Sequence, residues 1–203
     1  MIINFPDVSA LTRYHLLTQT VIPRPIAWVL SENTDHSLNL APFSFFSAVC
    51  SDPPLLMMSI GKKPSGELKD TRRNLTSGRD FVVHIAGIDS ADALNNSAAV
   101  LDYGTSEVLD NNLPLCDFPG CAISRLKNCL VAYHCRLYDI HELGPNQQAV
   151  IYAEIQNLYI DDTIASEGQG RFSIDANGLN PLARLGGSEY TGIGEAFSLA
   201  RPK

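Results

Sequence analysis

From Asn39 to Pro54 the chain reads Asn-Leu-Ala-Pro-Phe-Ser-Phe-Phe-Ser-Ala-Val-Cys-Ser-Asp-Pro-Pro. This apolar, aromatic-rich run carries small polar residues at Asn39, Ser44, Ser47 and Ser51, and a double proline closes it. A core strand rarely needs so many hydroxyls beside so many rings, whereas a strand holding a planar heteroaromatic ligand does. Next comes Glu67-Leu-Lys-Asp-Thr-Arg-Arg-Asn74, a cationic helix start suited to a phosphate. A flat-ring site followed by a phosphate site suggests a bound mononucleotide. The pattern alone leaves plainer readings open: an ordinary hairpin with a Pro-Pro turn, and a helix with a solvated basic face.

At 203 residues the chain is long enough for one substantial core, expected as a single domain over 1–203. A formal net charge of −7 with no basic arm argues against a nucleic-acid partner. Any anionic ligand therefore needs a local cationic pocket, and Lys62, Lys63, Lys69, Arg72 and Arg73 form the densest positive cluster. No apolar run approaches the roughly 18 residues of a membrane span, and the first residues lack the pattern of a signal peptide. Five cysteines without a CxxC pair disfavour a secreted disulfide framework. The expectation is a cytoplasmic protein with reduced thiols and no membrane partner.

Ile26 to Ser31 and Leu38 to Val49 read as a hairpin of one short and one long strand. Leu55 to Ile60 and Phe81 to Ala86 are further apolar strands, with helical character between them at Glu67 to Leu75. Asp89-Ser90 can cap a helix over Ala91 to Ala99. Leu130 to Ile140 and Ala149 to Ile160 alternate strongly, and Gly144-Pro145-Asn146 supplies their turn. Many strands with short turns and only two short helices disfavour a doubly wound parallel sheet. The expected fold is mainly β: a closed or split antiparallel β-barrel with short covering helices. The tail from Gly178 to Lys203 is left to wrap the barrel or a partner subunit.

Other chemistry-bearing motifs are weak. Gly168-Gln-Gly170 and Gly192-Ile-Gly194 lack the third glycine and the strand-to-helix setting of a dinucleotide fingerprint. There is no GxSxG elbow. His134, Cys135 and His141 lack zinc-ligand spacing, so no metal site is assigned. His84, in an apolar strand, reads as a satisfied core histidine, and Cys50 as a small hydrophobe.

Five ordered blocks together resemble the flavin reductase-like family, and more narrowly its flavoprotein oxygenase and flavoredoxin-type branch. They are Pro23-Arg-Pro-Ile-Ala-Trp-Val29, Asn39 to Pro54, Lys69-Asp-Thr-Arg-Arg-Asn-Leu75, Phe81 to Ala86, and Pro181-Leu-Ala-Arg-Leu-Gly-Gly-Ser-Glu-Tyr190. The resemblance implies an FMN-binding split barrel that pairs into a homodimer with the flavin near the subunit boundary. By position, Asn39, Ala41, Ser44, Phe46, Ser47, Cys50 and Ser51 would line the ring and ribityl chain. Lys69, Thr71 and Asn74 would take the phosphate, with Arg24 and the Gly186-Gly187 loop with Tyr190 close to the flavin. Two positions depart from the family pattern: His84 replaces an asparagine-like residue, and Cys50 a serine. The Asp102–Cys129 segment carries no readable motif.

The first functional expectation is an FMN-binding oxidoreductase in which a reduced nicotinamide, NAD(P)H, gives hydride to flavin N5. Electrons then pass to a small-molecule or protein acceptor. The cofactor does that chemistry, so no side chain is assigned as catalytic. The alternatives are an FMN electron carrier without nicotinamide turnover and a non-enzymatic flavin-binding module.

Overall fold

The computed structural model describes residues 1–168 and 170–202. Gln169, the centre of the Gly168-Gln-Gly170 triplet, and Lys203, the end of the tail, lie outside the described residues.

A seven-stranded sheet carries the fold. Its strands are β1 (Ala27–Glu32), β2 (Leu38–Phe43), β3 (Phe46–Ser51), β4 (Pro54–Ile60), β5 (Asp80–Ile85), β6 (Val131–Leu143) and β7 (Gln148–Ile160). They lie in the order β2-β1-β5-β6-β7-β4-β3, with every pairing antiparallel. The outermost strands, β2 and β3, are consecutive in the chain and joined only by Ser44 and Phe45. Such a link spans on the order of 10 Å, so the sheet must curl until its two edges meet. The result is a barrel split between β2 and β3. The Ser59 N–H of β4 donates to the Phe45 carbonyl at 2.9 Å and holds the link against the far edge.

The β1–β2 and β6–β7 hairpins form as expected. The single long strand expected over Leu38 to Val49 does not: it breaks at Ser44, and its halves occupy opposite edges of the sheet. Both faces of β1 and β5 are covered, which is why they read as continuous apolar runs. Val29, Phe43, Met58, Phe81, Val83 and Ile151 pack inside the barrel. Trp28, Leu30 and Val82 face outward under a second layer that includes Leu94, Phe118 and Leu126.

The helices are α1 (Ala10–Thr20), α2 (Asp70–Asn74), α3 (Ala91–Asn96) and α4 (Glu107–Asp110), with a further turn at Ala176–Leu179. Both expected helices are shorter than their sequence patterns. Ser90 makes no side-chain cap, and a 3₁₀ turn over Ile88–Ser90 leads into α3 instead. The eleven-residue α1 has no apolar stripe: only Thr18 is buried, while Leu11, Tyr14 and Leu17 are exposed. Its start is marked by Ser9, whose hydroxyl accepts from the Thr12 N–H at 3.1 Å.

The Asp102–Cys129 segment is pinned by single polar contacts. Ser106 Oγ donates to the Leu38 carbonyl at 2.6 Å, and Glu107 Oε2 accepts from the Leu40 N–H at 2.9 Å. These two side chains satisfy the outer edge of β2, where a barrel without a split would have another strand. Farther along, His84 Nε2 accepts from the Leu126 N–H at 2.9 Å, while Nδ1–H donates to the Trp28 carbonyl at 3.1 Å. His84 is thus a satisfied core histidine that fastens the segment to the sheet. The five cysteines are free thiols, and no helix among the described residues is long and apolar enough to cross a membrane.

Burial lowers the His84 pKa to about 3. Unfolded chains bind a proton at this residue below about pH 6.5, whereas the native state refuses it until far lower pH. Stability from this site therefore falls as pH drops from about 6.5, by up to roughly 1.4 kcal/mol per pH unit. Urea unfolding between about pH 6 and 4.5 should show a steeper loss for the wild type than for His84→Gln. Equal slopes would contradict this assignment.

Candidate functional site

Two adjoining hollows open beside the split. The first, of about 270 Å³, lies between α1, the end of β2 and a small three-stranded sheet. That sheet is made of Arg24–Pro25, Ala183–Arg184 and Tyr190–Thr191, with Ala183–Arg184 in the centre. Tyr14, His15, Arg24, Ser44, Arg184 and Tyr190 supply its polar and aromatic wall. Arg24 is buried, and its guanidinium gathers three segments of chain. Nη1 donates to the Thr18 and Val21 carbonyls, Nη2 to Leu185 O at 2.8 Å, and Nε to Ser44 Oγ at 3.3 Å. Burial pushes the Arg24 pKa below its usual value; Tyr14 opposes that shift and Arg184 adds to it.

The second hollow, of about 100 Å³, shares Pro42 and Ala98 with the first. Asn39, Ala41, Lys63, Lys69, Thr71 and Glu107 are in its wall. Its charges largely sort themselves. Lys63 Nζ lies 3.0 Å from an Asp70 carboxylate oxygen, which neutralises that pair. Burial raises the pKa of Glu107, opposed by the Leu40 N–H that its carboxylate accepts, so its negative charge is disfavoured. Lys69 stands over the Phe43 ring at 5.5 Å and makes no ion pair among the described residues. Burial lowers its pKa, as expected of an ammonium stripped of water without a counterion. The hollow therefore presents one uncompensated positive charge, together with the free amides of the first α2 turn. That donor set fits a phosphate.

The structure brings together most, but not all, of the expected site. Arg24, Ser44 and Tyr190 line the first hollow, and Asn39, Ala41, Lys69 and Thr71 the second. Gly187 lines the first hollow with φ +59°, whereas Gly186 does not: it turns to the other side of its loop, against the Gln19 side chain. Asn74 lies behind the site, in a buried polar network. Its Nδ2 donates to Ser31 Oγ at 3.1 Å and Asn33 Oδ1 at 2.7 Å. Asn39 Nδ2 donates to Thr71 Oγ1 at 2.9 Å, an acceptor role that leaves the Thr71 O–H free to donate. Phe46, Ser47, Cys50 and Ser51 line neither hollow. They sit on β3, across the split, and Ser47, Cys50 and Ser51 are exposed.

Tyr14 and His15, Arg184, the Ser97–Leu101 turn and Glu107 line the hollows without having been singled out in the sequence. Arg184 lay within a quoted block, and a sole cation in an apolar, glycine-bearing stretch was its available signal. Away from the site, Asp80, Cys121 and His134 converge within 4.8 Å. Asp80 Oδ1 accepts from Arg136 Nε at 2.7 Å and Oδ2 from the Ala122 N–H at 2.8 Å. These contacts tie the Cys121 loop to the sheet as an ion-pair network.

The sequence and fold have clear relatives. The model of the flavin reductase like domain matches residues 19–173. The protein YwrF of Bacillus subtilis (strain 168) is 34% identical over 97% of this chain and 96% of its own. Nitrilotriacetate monooxygenase component B from Bacillus cereus superposes with a TM-score of 0.89 and 32% identity, over 98% of each chain. The 2-nitrobenzoate 2-nitroreductase NbaA of Pseudomonas fluorescens gives 0.88 and 26%, over 100% of this chain and 96% of its own. With its split barrel, paired hollows and ordered motifs, the chain belongs to the flavin reductase-like family.

Proposed function

We propose that the chain acts as a single FMN-binding oxidoreductase unit that takes reducing equivalents from NAD(P)H and passes them to an acceptor. The observation that carries this reading is the pair of adjoining hollows, one with a half-buried ammonium at Lys69 that has no ion pair among the described residues and the other walled by rings and backbone. When bound, FMN supplies the hydride-accepting and electron-storing chemistry. The chain's part is to hold and shield it. Lys69 and the α2 amides would take the phosphate, Asn39 and Ala41 the ribityl chain, and Pro42 to Ser44 the ring. Thr71, in the wall of the hollow, accepts from the Asn39 amide, and Asn74, behind the site, donates to Ser31, which accepts from that same amide.

The exposed β3 residues find a role if two copies pair, so we propose a homodimer in which β3 of one copy borders the hollows of the other. Phe46, Ser47, Cys50 and Ser51 would then reach the flavin from across the boundary. The tail supports the same reading, since Phe197 and Leu199 are 83% and 84% exposed on the isolated chain. The free thiols fit a cytoplasmic location.

Lys69→Ala should weaken FMN by about tenfold or more while leaving riboflavin, which has no phosphate, within about threefold. Equal losses for both ligands in a fluorescence titration would remove Lys69 from the phosphate site. In anaerobic spectra, NADH or NADPH should bleach the yellow FMN-loaded protein within seconds. Bleaching only by dithionite or a protein partner would favour the electron-carrier reading. Sedimentation at micromolar concentration should give twice the 22.1 kDa chain mass; a monomer would refute the shared site.

A further inference from the structure

The small sheet places three side chains in one row. Arg24 is the register partner of Arg184, and Arg184 that of Tyr190. Directly opposed residues on neighbouring strands share a face, and all three line the first hollow. Two guanidinium groups therefore stand side by side at one cavity wall. Like charges so placed repel, and the arrangement needs an anion to offset them.

No acidic side chain among the described residues supplies that anion. No Asp or Glu is among the residues lining this hollow. The four acceptors of Arg24 are three carbonyls and one hydroxyl, all neutral. Arg184 makes no salt bridge among the described residues. One of its amino groups donates to the Gly187 carbonyl at 2.6 Å, and its guanidinium lies 4.3 Å from the centre of the Tyr190 ring. A guanidinium has five N–H donors, so most of the Arg184 fork is left for a ligand. In a chain of net charge −7, a cavity wall with two cations and no acid runs against the overall charge.

The rest of the wall indicates what kind of anion belongs there. Ile26, Pro42 and Leu94 are apolar, which suits an organic body better than a bare inorganic ion. A planar two-oxygen group matches the guanidinium fork. We propose that this hollow is the subsite for the small-molecule substrate, and that this substrate is an organic acid whose carboxylate is held by Arg184 beside Arg24. The proposal rests on reading the adjoining Lys69 hollow as the FMN phosphate site. The other source of an anionic group is the FMN phosphate itself, entering from the opposite end.

The test uses the full-length wild type, Arg184→Gln and Arg184→Lys, with calorimetric titration of benzoate and of its uncharged isostere benzamide. Arg24 is left intact because it ties three segments together. Wild type should bind benzoate about tenfold or more tightly than benzamide. Arg184→Gln should erase that preference, Arg184→Lys should keep part of it, and FMN affinity should move by less than about threefold in both. Equal binding of benzoate and benzamide by the wild type would overturn the proposal, as would a preference that survives Arg184→Gln. A selective loss of FMN over riboflavin in Arg184→Gln would also overturn it, assigning the pair to the flavin phosphate. If the protein takes up no FMN, the flavin reading fails, and the benzoate comparison on the FMN-free protein still decides this proposal.

Discussion

The rest of the molecule depends on a link of two residues. Ser44 and Phe45 join strands that end at opposite edges of a seven-stranded sheet, and so short a connection forbids the sheet from lying open. The edges are brought together without pairing, leaving the outer side of β2 available. A proline is tolerated there because an edge strand can leave one ladder donor unfilled. Pro42 occupies that position and becomes the wall common to both hollows. Nearby, Ser106 and Glu107 meet the edge carbonyl and amide that a neighbouring strand would otherwise have taken. The opening beside the split is therefore a product of how the barrel closes.

Charge follows the same geometry. The chain as a whole is acidic, yet Lys69, Arg24 and Arg184 collect at the split without salt-bridge partners among the described residues, while Lys63 is neutralised by Asp70. Low-dielectric walls strengthen each of these charges relative to the same residue in water. A site built this way can hold anionic ligands on a chain that repels them elsewhere. Holding Arg24 in place takes four oxygens from three regions of sequence, so the hollow and the small sheet that frames it form together.

Much of the barrel was legible because its pattern is local. Phe81-Val-Val and Leu55 to Ile60 are continuous apolar runs, as strands covered on both faces must be, and Gly144-Pro145-Asn146 marks the longest hairpin. α1 was not legible: it rides the surface with one buried residue, so no apolar stripe records it. Lys69 could be expected at a positive hollow from its cationic setting, and it lines one without an ion pair among the described residues. Asn74 could not be told apart from a ligand contact, since a buried amide bonded to Ser31 and Asn33 has the same composition in sequence as one aimed into a cavity. His84 was legible as a satisfied core histidine, but its partner, the Leu126 N–H, comes from a segment with no readable motif.

Patterns read over a few neighbours were enough to determine that this chain makes an antiparallel barrel with an aromatic, hydroxyl-bearing strand run and a cationic turn beyond it. Alternation, turn residues and helix starts act over that range. Only the folded molecule decided that the Leu38–Val49 run would split across two edges, and that Arg184 would stand beside Arg24 from the far end of the sequence. Those outcomes depend on chain closure and strand register, which couple residues through space and leave no periodic trace along the chain.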